Sequence, residues 1–253
     1  MLRKRLREVK SRIKRLVREP APIETEVPGQ SPIKLTAYYD EFLEYYPQCE
    51  LKTKQWFVEN VKEDWVILDC GANIGYFSLL FSRLAPEGRI HAFEPTSTYQ
   101  MLLENLSYNK AENVVAVNSA LGKDSGRIKA RIPRIWGHVT DHKEFDFTTI
   151  DDYVREHRID RVDSIKIDVD SYDFEVLMGA EKTLAEFNPA LIVELADVAL
   201  NLRGHTSVEV LSWLAGHGYS QGVVLEQCNY LFKRDYDCLR HARSPAGMTL
   251  FFG

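Results

Sequence analysis

The stretch ILDCGANIGYFSLLFS, residues 67–82, joins a short apolar run to an amphipathic helix through a glycine turn, the junction on which parallel αβ sheets are built. WVILD (65–69) is short, continuous and β-branched enough to be a buried strand, and it stops at Gly71. The helix expected over Tyr76–Leu84 is followed by the turn PEG (86–88). Then comes RIHAFEP (89–95), a second strand that ends on an acid and a proline. Strand, helix, strand in this order is a parallel crossover. The alternation continues through a helix over Ser97–Asn109, a strand at Val114–Asn118, a helix within 148–158 and a strand at Ser164–Val169. A helix at Asp173–Phe187, a strand at Ala190–Leu195, a helix at Ser207–His217 and candidate strands at Ser220–Glu226 and Thr249–Phe252 complete it. This pattern predicts an α/β fold, a mostly parallel sheet with helices on both faces and ligands at the carboxyl ends of the strands.

Glycine turns between strand and helix mostly cradle phosphate, in the forms G-x-G-x-x-G or G-x-x-x-x-G-K-[ST]. Asp69-Cys70-Gly71-Ala72-Asn73-Ile74-Gly75 matches neither. A carboxylate placed just before the helix repels a pyrophosphate, which disfavours a nicotinamide oxidoreductase. A ligand with a cationic sulfonium, an ammonium group and a ribose but no phosphate removes the objection, and S-adenosylmethionine is such a ligand. Asp69 is then expected to attract its positive end and Gly71 and Gly75 to let backbone approach it. Glu94, at the end of the second strand, is expected to accept hydrogen bonds from both ribose hydroxyls. Asn73 either holds the turn through its own backbone or touches the methionine part.

Further along, Lys166, Asp168 and Asp170 share one phase of a strand, which brings an ammonium and two carboxylates together at its carboxyl end. Glu194 ends the neighbouring strand. Such a group can supply a base for an acceptor hydroxyl, hold a divalent ion such as Mg2+ through Asp168, Asp170 and Glu194, or be a strand end in which Lys166 neutralises Asp168. IWGHVTDHKEF (135–145) reads as a loop-like insertion. His138 and His142 within it, with His205 after the fifth strand, are candidate substrate contacts or plain surface histidines. Trp136 and Tyr172 can stack on a sugar ring or complete a core.

Charge is unevenly spread. Residues 1–18 hold nine Lys or Arg against Glu8, a charge of +8 in a chain whose net charge is −5. Leu2, Leu6, Val9, Ile13 and Leu16 line one face of this basic arm as an amphipathic helix would. Anionic lipid, a partner helix, including self-association, and a solvated tail all remain open as its role. Residues 19–33, with four prolines, read as an extended linker, and the catalytic body is expected from 34 to 253. No apolar run is long enough to span a membrane and no secretory leader is evident, so a cytoplasmic protein is expected, with the arm as the means of any peripheral contact at the inner membrane surface. The acidic body argues against nucleic acid as a partner. Four cysteines without C-x-x-C spacing point to free thiols.

The ordered motifs DCGANIG, AFEP with LLENLSYN, NSALG (118–122), TTIDDYV (148–154), SIKIDVD with VLMGA (176–180), PALIVEL (189–195) and NYLF (229–232) resemble the FkbM family of S-adenosylmethionine-dependent methyltransferases. The resemblance implies a Rossmann-like class I methyltransferase fold with a seven-stranded sheet and O-methylation of a sugar or another small-molecule hydroxyl. It also implies that Asp69, Gly71, Asn73 and Gly75 line the cofactor turn, that Glu94 holds the ribose and that Asn118 with Ser119 lies near the adenine. One departure stands out: the family's K-I-D-V-E-G becomes Lys166-Ile167-Asp168-Val169-Asp170-Ser171. The run D-V-D-S-Y is also similar to the D-G-D-x-Y of metal-dependent macrocin-type sugar methyltransferases. A cofactor-binding module without catalysis, recruiting partners through the arm, is the alternative from another class.

Overall fold

A computed structural model describes residues 20–134, 139–234 and 249–251, so the expectations placed on residues 1–18, Trp136 and His138 lie outside the described residues. The parallel core is β3 (Val66–Cys70), β4 (Arg89–Phe93), β5 (Val114–Val117), β9 (Ser164–Ile167) and β10 (Ala190–Glu194), in the spatial order β5-β4-β3-β9-β10. The sheet then continues with β12 (Asn229–Phe232), antiparallel to β10, followed by β11 (Gln221–Glu226) and the edge strand β13 (Thr249–Phe251). The expected architecture is present, with two differences at this edge. NYLF, not among the expected strands, is the antiparallel strand beside β10, and Thr249–Phe251 makes an eighth strand beyond β11.

Side chains alternate across β3. Ile67 joins a core with Phe57, Phe77, Leu80 and Phe81, whereas Leu68 and Cys70 enter the opposite core with Ile165, Ile167, Val176, Leu191 and Val193. Each face is dry because helices cover it: Leu51–Asn60 and Tyr76–Leu84 on the first, Asp173–Met178, Glu181–Phe187 and Ser207–Gly216 on the second. The single helix expected over Asp173–Phe187 is therefore two, broken at Gly179–Ala180. Among the described residues no helix is long and apolar enough to cross a membrane.

The stretch expected to be an extended linker is instead the first half of a hairpin. β1 (Ala21–Thr25) pairs antiparallel with β2 (Ile33–Ala37), and Ile23, Thr25, Ile33, Leu35 and Ala37 point into the first core. Period-two alternation outweighs the prolines here, because Pro22 lies on a strand with one free edge. The fully buried Lys54 fastens the hairpin by donating from Nζ to Thr25 Oγ1 (2.7 Å) and Glu26 O (2.8 Å). The insertion read as loop-like is also a hairpin, β7 (Gly126–Arg134) with β8 (Val139–Thr148), completed by the short β6 (Ala120–Leu121). Ala130, Ile132, Phe145 and Phe147 form its buried face, against Tyr172.

Candidate functional site

The chain leaves β3 for β4 and β5 on one side and returns to β9 on the other, so the sheet's switch point lies at β3, where open α/β sheets bind ligands. A cavity of about 290 Å³ opens there, across the carboxyl ends of β3, β4, β9 and β10. One half is bordered by Gly71–Asn73, Glu94–Thr96 and Ser119–Leu121. The other is bordered by Lys166, Asp168, Asp170, Glu194, Glu50 and Asn229.

In the first half, the turn after β3 is built by contact between protein parts. Gly71 has φ +87°, and a Cβ there would lie 1.8 Å from the carbonyl oxygen of Asp168, so packing against the end of β9 by itself requires the glycine. Gly75 likewise makes room for Leu102, 2.6 Å from where its Cβ would be, and is not among the residues bordering the cavity. Glu94, 7% exposed, ties this turn to the next: Oε2 accepts from Asn73 N (3.1 Å), and Oε1 accepts from Thr96 N (2.9 Å) and Thr96 Oγ1 (2.5 Å). Asn73, at φ +51°, borders the cavity with a buried Oδ1 that finds no donor among the described residues. An acceptor in that position is open to a hydrogen bond from water or from a ligand's ammonium or hydroxyl. Ser119 borders the cavity too, donating its hydroxyl to Asp146 O (2.9 Å). Asn118 stands behind it and donates to Glu94 O (2.8 Å), which fixes the end of β4.

Asp69 does not line this cavity. It is fully buried on the phase of Ile67, beside Lys166 across the β3–β9 pair, and accepts from Ser78 Oγ (2.5 Å). Burial raises its pKa, against the opposing influence of Lys166 and Ser78. Its role is to anchor the helix Tyr76–Leu84 and to balance Lys166. The negative lining that disfavours phosphate comes instead from Glu94 and the acids of the second half, where Lys166 is the one cation among the described bordering residues.

In that second half, Lys166 is 2% exposed, donates to Asp168 Oδ2 (2.8 Å) and lies over the Phe77 ring (4.6 Å). Burial alone would lower its pKa, but Asp168, Glu50 and Asp69 around it raise it, so it is a fixed cation and not a proton carrier. Asp168, Asp170 and Glu194 each bring a carboxylate oxygen within 4.8 Å of the others. Burial, with Asp168 and Glu194 nearby, pushes the Asp170 carboxyl up to about 8. Burial and Asp168 push Glu194 to about 7, against the hydrogen bond it accepts from Cys228 Sγ (3.1 Å).

The backbone that presents Asp170 is unusual. Asp170 has φ +50° and Ser171 φ +106°, the second a value normally left to glycine, and it falls where the chain departs from the family's Glu-Gly. Asp173, which sequence reasoning passed over, holds this turn by accepting from Val169 N (3.0 Å) and Ser171 N (3.1 Å). Tyr172 borders the cavity but is occupied from behind, its hydroxyl accepting from Arg203 Nη1 (3.0 Å) and its ring stacked under the guanidinium (3.9 Å). His205 does not border the cavity. Its partners are Glu209 (3.2 Å) and, at 3.8 Å, Glu175. His142 is exposed on β8.

Glu50 and Asn229 were also missed, and no local pattern marks them. Glu50 precedes the helix Leu51–Asn60 at φ +47°. Its Oε1 accepts from Asn229 Nδ2 (2.9 Å) and its Oε2 from the Tyr45 hydroxyl (3.3 Å). Burial raises Glu50 to about 7, against the pull of Lys166.

Residues 69–221 match the family described as the methyltransferase FkbM domain. The chain is 27% identical over 177 residues to methyltransferase sdnD of Sordaria araneosa, covering 54% of this chain and 68% of that protein. It is 31% identical over 146 residues to the hexuronic acid methyltransferase AglP of Haloferax volcanii, covering 54% and 59% respectively. Among solved structures, an FkbM methyltransferase from Methylobacillus flagellatus superposes with a TM-score of 0.50 at 19% identity, over 68% of this chain and 44% of that one. The matches thus span between about two fifths and two thirds of these relatives' own lengths.

Proposed function

Because the chain belongs to the FkbM methyltransferase family, we propose that it transfers a methyl group from S-adenosylmethionine to a hydroxyl of a sugar or glycan. The cofactor half suits that donor. Asn73 Oδ1 lacks a donor among the described residues, Glu94 presents a carboxylate suited to ribose hydroxyls, and the acidic lining disfavours a phosphate-bearing alternative. Asn73 and Glu94, with the turn Gly71–Asn73 and Ser119, are the residues that would hold it. When bound, the cofactor supplies a methyl group already activated by its sulfonium, so the protein's work is to align the acceptor and to accept its proton.

The observation that carries this reading is the division of labour between two acids of one strand end. Asp168 is committed to Lys166 at 2.8 Å. Among the described residues no cation is paired with Asp170, and burial among acids pushes it up to about 8, near the pH at which a base accepts a proton and is still largely able to act. Asp170 is thus the base, and Asp168 with Lys166 fixes the floor of the acceptor half. The sugar acceptor is supported by the relative that acts on a hexuronic acid.

Calorimetry with S-adenosylmethionine and S-adenosylhomocysteine, followed by transfer of labelled methyl to glycosides, tests the proposal. Binding with turnover supports it, binding without turnover on any glycan favours a non-catalytic module, and absence of binding refutes it. A second reading rests on the mutual approach of Asp168, Asp170 and Glu194, a donor set suited to Mg2+. Loss of activity on chelation, restored by magnesium, favours it; indifference to chelator removes it.

A further inference from the structure

The two halves of the cavity have different origins in the chain. The cofactor half lies within residues 69–221, the extent of the family match. Much of the acceptor half does not: Tyr45, Tyr46 and Glu50 come from before it, and Gln227, Cys228 and Asn229 from after it. These two outlying segments are joined to each other. Asn229 Nδ2 donates to Glu50 Oε1 at 2.9 Å, and Thr53 N donates to Glu226 Oε1 at 2.8 Å. Asn229 is 6% exposed, and Glu50 is held at a left-handed φ of +47°, so its carboxylate is fixed in place. The same half holds Asp168, Asp170 and Glu194, with Lys166 the one cation among the described bordering residues and already bonded to Asp168.

Resting on the methyltransferase reading, we propose that Glu50, clasped by Asn229, is the specificity-determining residue of the acceptor half, and that the acceptor is a glycoside carrying an ammonium group. The reasoning is electrostatic. Several carboxylates share one paired cation, so an entering ammonium finds charge-assisted partners, whereas a neutral glycoside brings hydrogen bonds without charge. A uronate, the acceptor class in AglP's name, adds a carboxylate to acids that already repel one another, so this chain's acceptor is expected to differ from that relative's. The exposed ring of Tyr45, which borders the same half, adds a face on which a cationic sugar can rest. Glu50 differs from the acids of β9 and β10 in coming from outside the family match, where acceptor choice can vary without disturbing the methyl donor.

The test measures binding of methyl glucosaminide, methyl glucoside and methyl glucuronide to the full chain loaded with S-adenosylhomocysteine, in chelator, for the wild type and Glu50→Gln. The wild type is expected to bind the glucosaminide about tenfold more tightly than the glucoside, as a charge-assisted bond contributes over a neutral one, and the glucuronide most weakly. Glu50→Gln is expected to remove most of that preference with S-adenosylhomocysteine affinity unchanged. If that variant loses the cofactor product through misfolding, Asn229→Ala, which keeps the charge and removes the clasp, is expected to weaken the glucosaminide by a smaller factor. The proposal is overturned if the glucuronide binds as well as the glucosaminide, if Glu50→Gln retains the preference, or if none of the three binds at millimolar concentration. It is overturned too if magnesium brings the glucoside up to the glucosaminide, since the missing positive charge is then a metal. A chain that binds neither S-adenosylmethionine nor its product overturns the methyltransferase reading as well, so the two failures are told apart.

Discussion

Replacing Asp170 with asparagine should make this protein more stable while disabling it. Its carboxyl is pushed from 3.8 to about 8, chiefly by burial and then by Asp168 and Glu194. A carboxyl whose folded pKa is raised favours the fold when protonated. That contribution is complete below the unfolded pKa and is lost as pH rises through the folded one. At pH 7 the full effect amounts to about 4 kcal/mol, from roughly 1.4 kcal/mol for each pH unit above 3.8. Water at the cavity mouth and relaxation of the turn reduce this, and we expect a gain of about 1–2 kcal/mol for Asp170→Asn. In a chain of this size that corresponds to about 3–6 °C in melting temperature. Asparagine accepts the left-handed backbone at this position, so the substitution adds no strain. Scanning calorimetry at pH 5, 6, 7 and 8 reads the result. The difference from wild type should grow with pH and level off near 8, while methyl transfer falls by about 100-fold or more. A variant that is less stable at every pH, or whose gain does not change with pH, would falsify the account of Asp170 as a costly, unpaired acid.

Glu94→Ala is expected to weaken S-adenosylmethionine binding by about tenfold or more in calorimetry, because it removes a charged acceptor and frees Asn73 and Thr96 together. Unchanged affinity would count against the cofactor half. Gly71→Ala should cost about 3 kcal/mol or more, since the new Cβ meets the Asp168 carbonyl at 1.8 Å, and chemical denaturation should register it as loss of the cooperative transition or a large drop in midpoint. Turnover at saturating substrate should rise with pH through about 8 as Asp170 gives up its proton, and a flat profile between pH 6 and 9 would exclude it as the base.

The parallel core was legible because its strands are short apolar runs closed by glycine or an acid, and the crossover connections leave little freedom in joining them. The two hairpins were not. In β1–β2 four prolines between 19 and 33 masked the alternation of Ile23, Thr25 and Val27. In β7–β8 the buried set Ala130, Ile132, Phe145 and Phe147 is separated by charged residues that read as loop. The turn after β3 was placed correctly at the edge of the cavity, but Asp69 was given the wrong direction. Counting its phase from Ile67 places it in the core beside Lys166. Asp170 and Glu194 followed from strand ends, whereas Glu50 and Asn229 meet across 179 residues of chain, a distance over which local pattern carries no information.

That same separation bears on how the molecule is assembled. A contact joining residue 50 to residue 229 closes a very long loop, and such closures come late because their entropic cost is met only once the intervening strands have paired. The turns that Glu94 ties together can therefore order on a growing chain before the contact between residues 50 and 229 closes. On the proposed reading, a place for the methyl donor forms first during synthesis and the means of telling one recipient from another last.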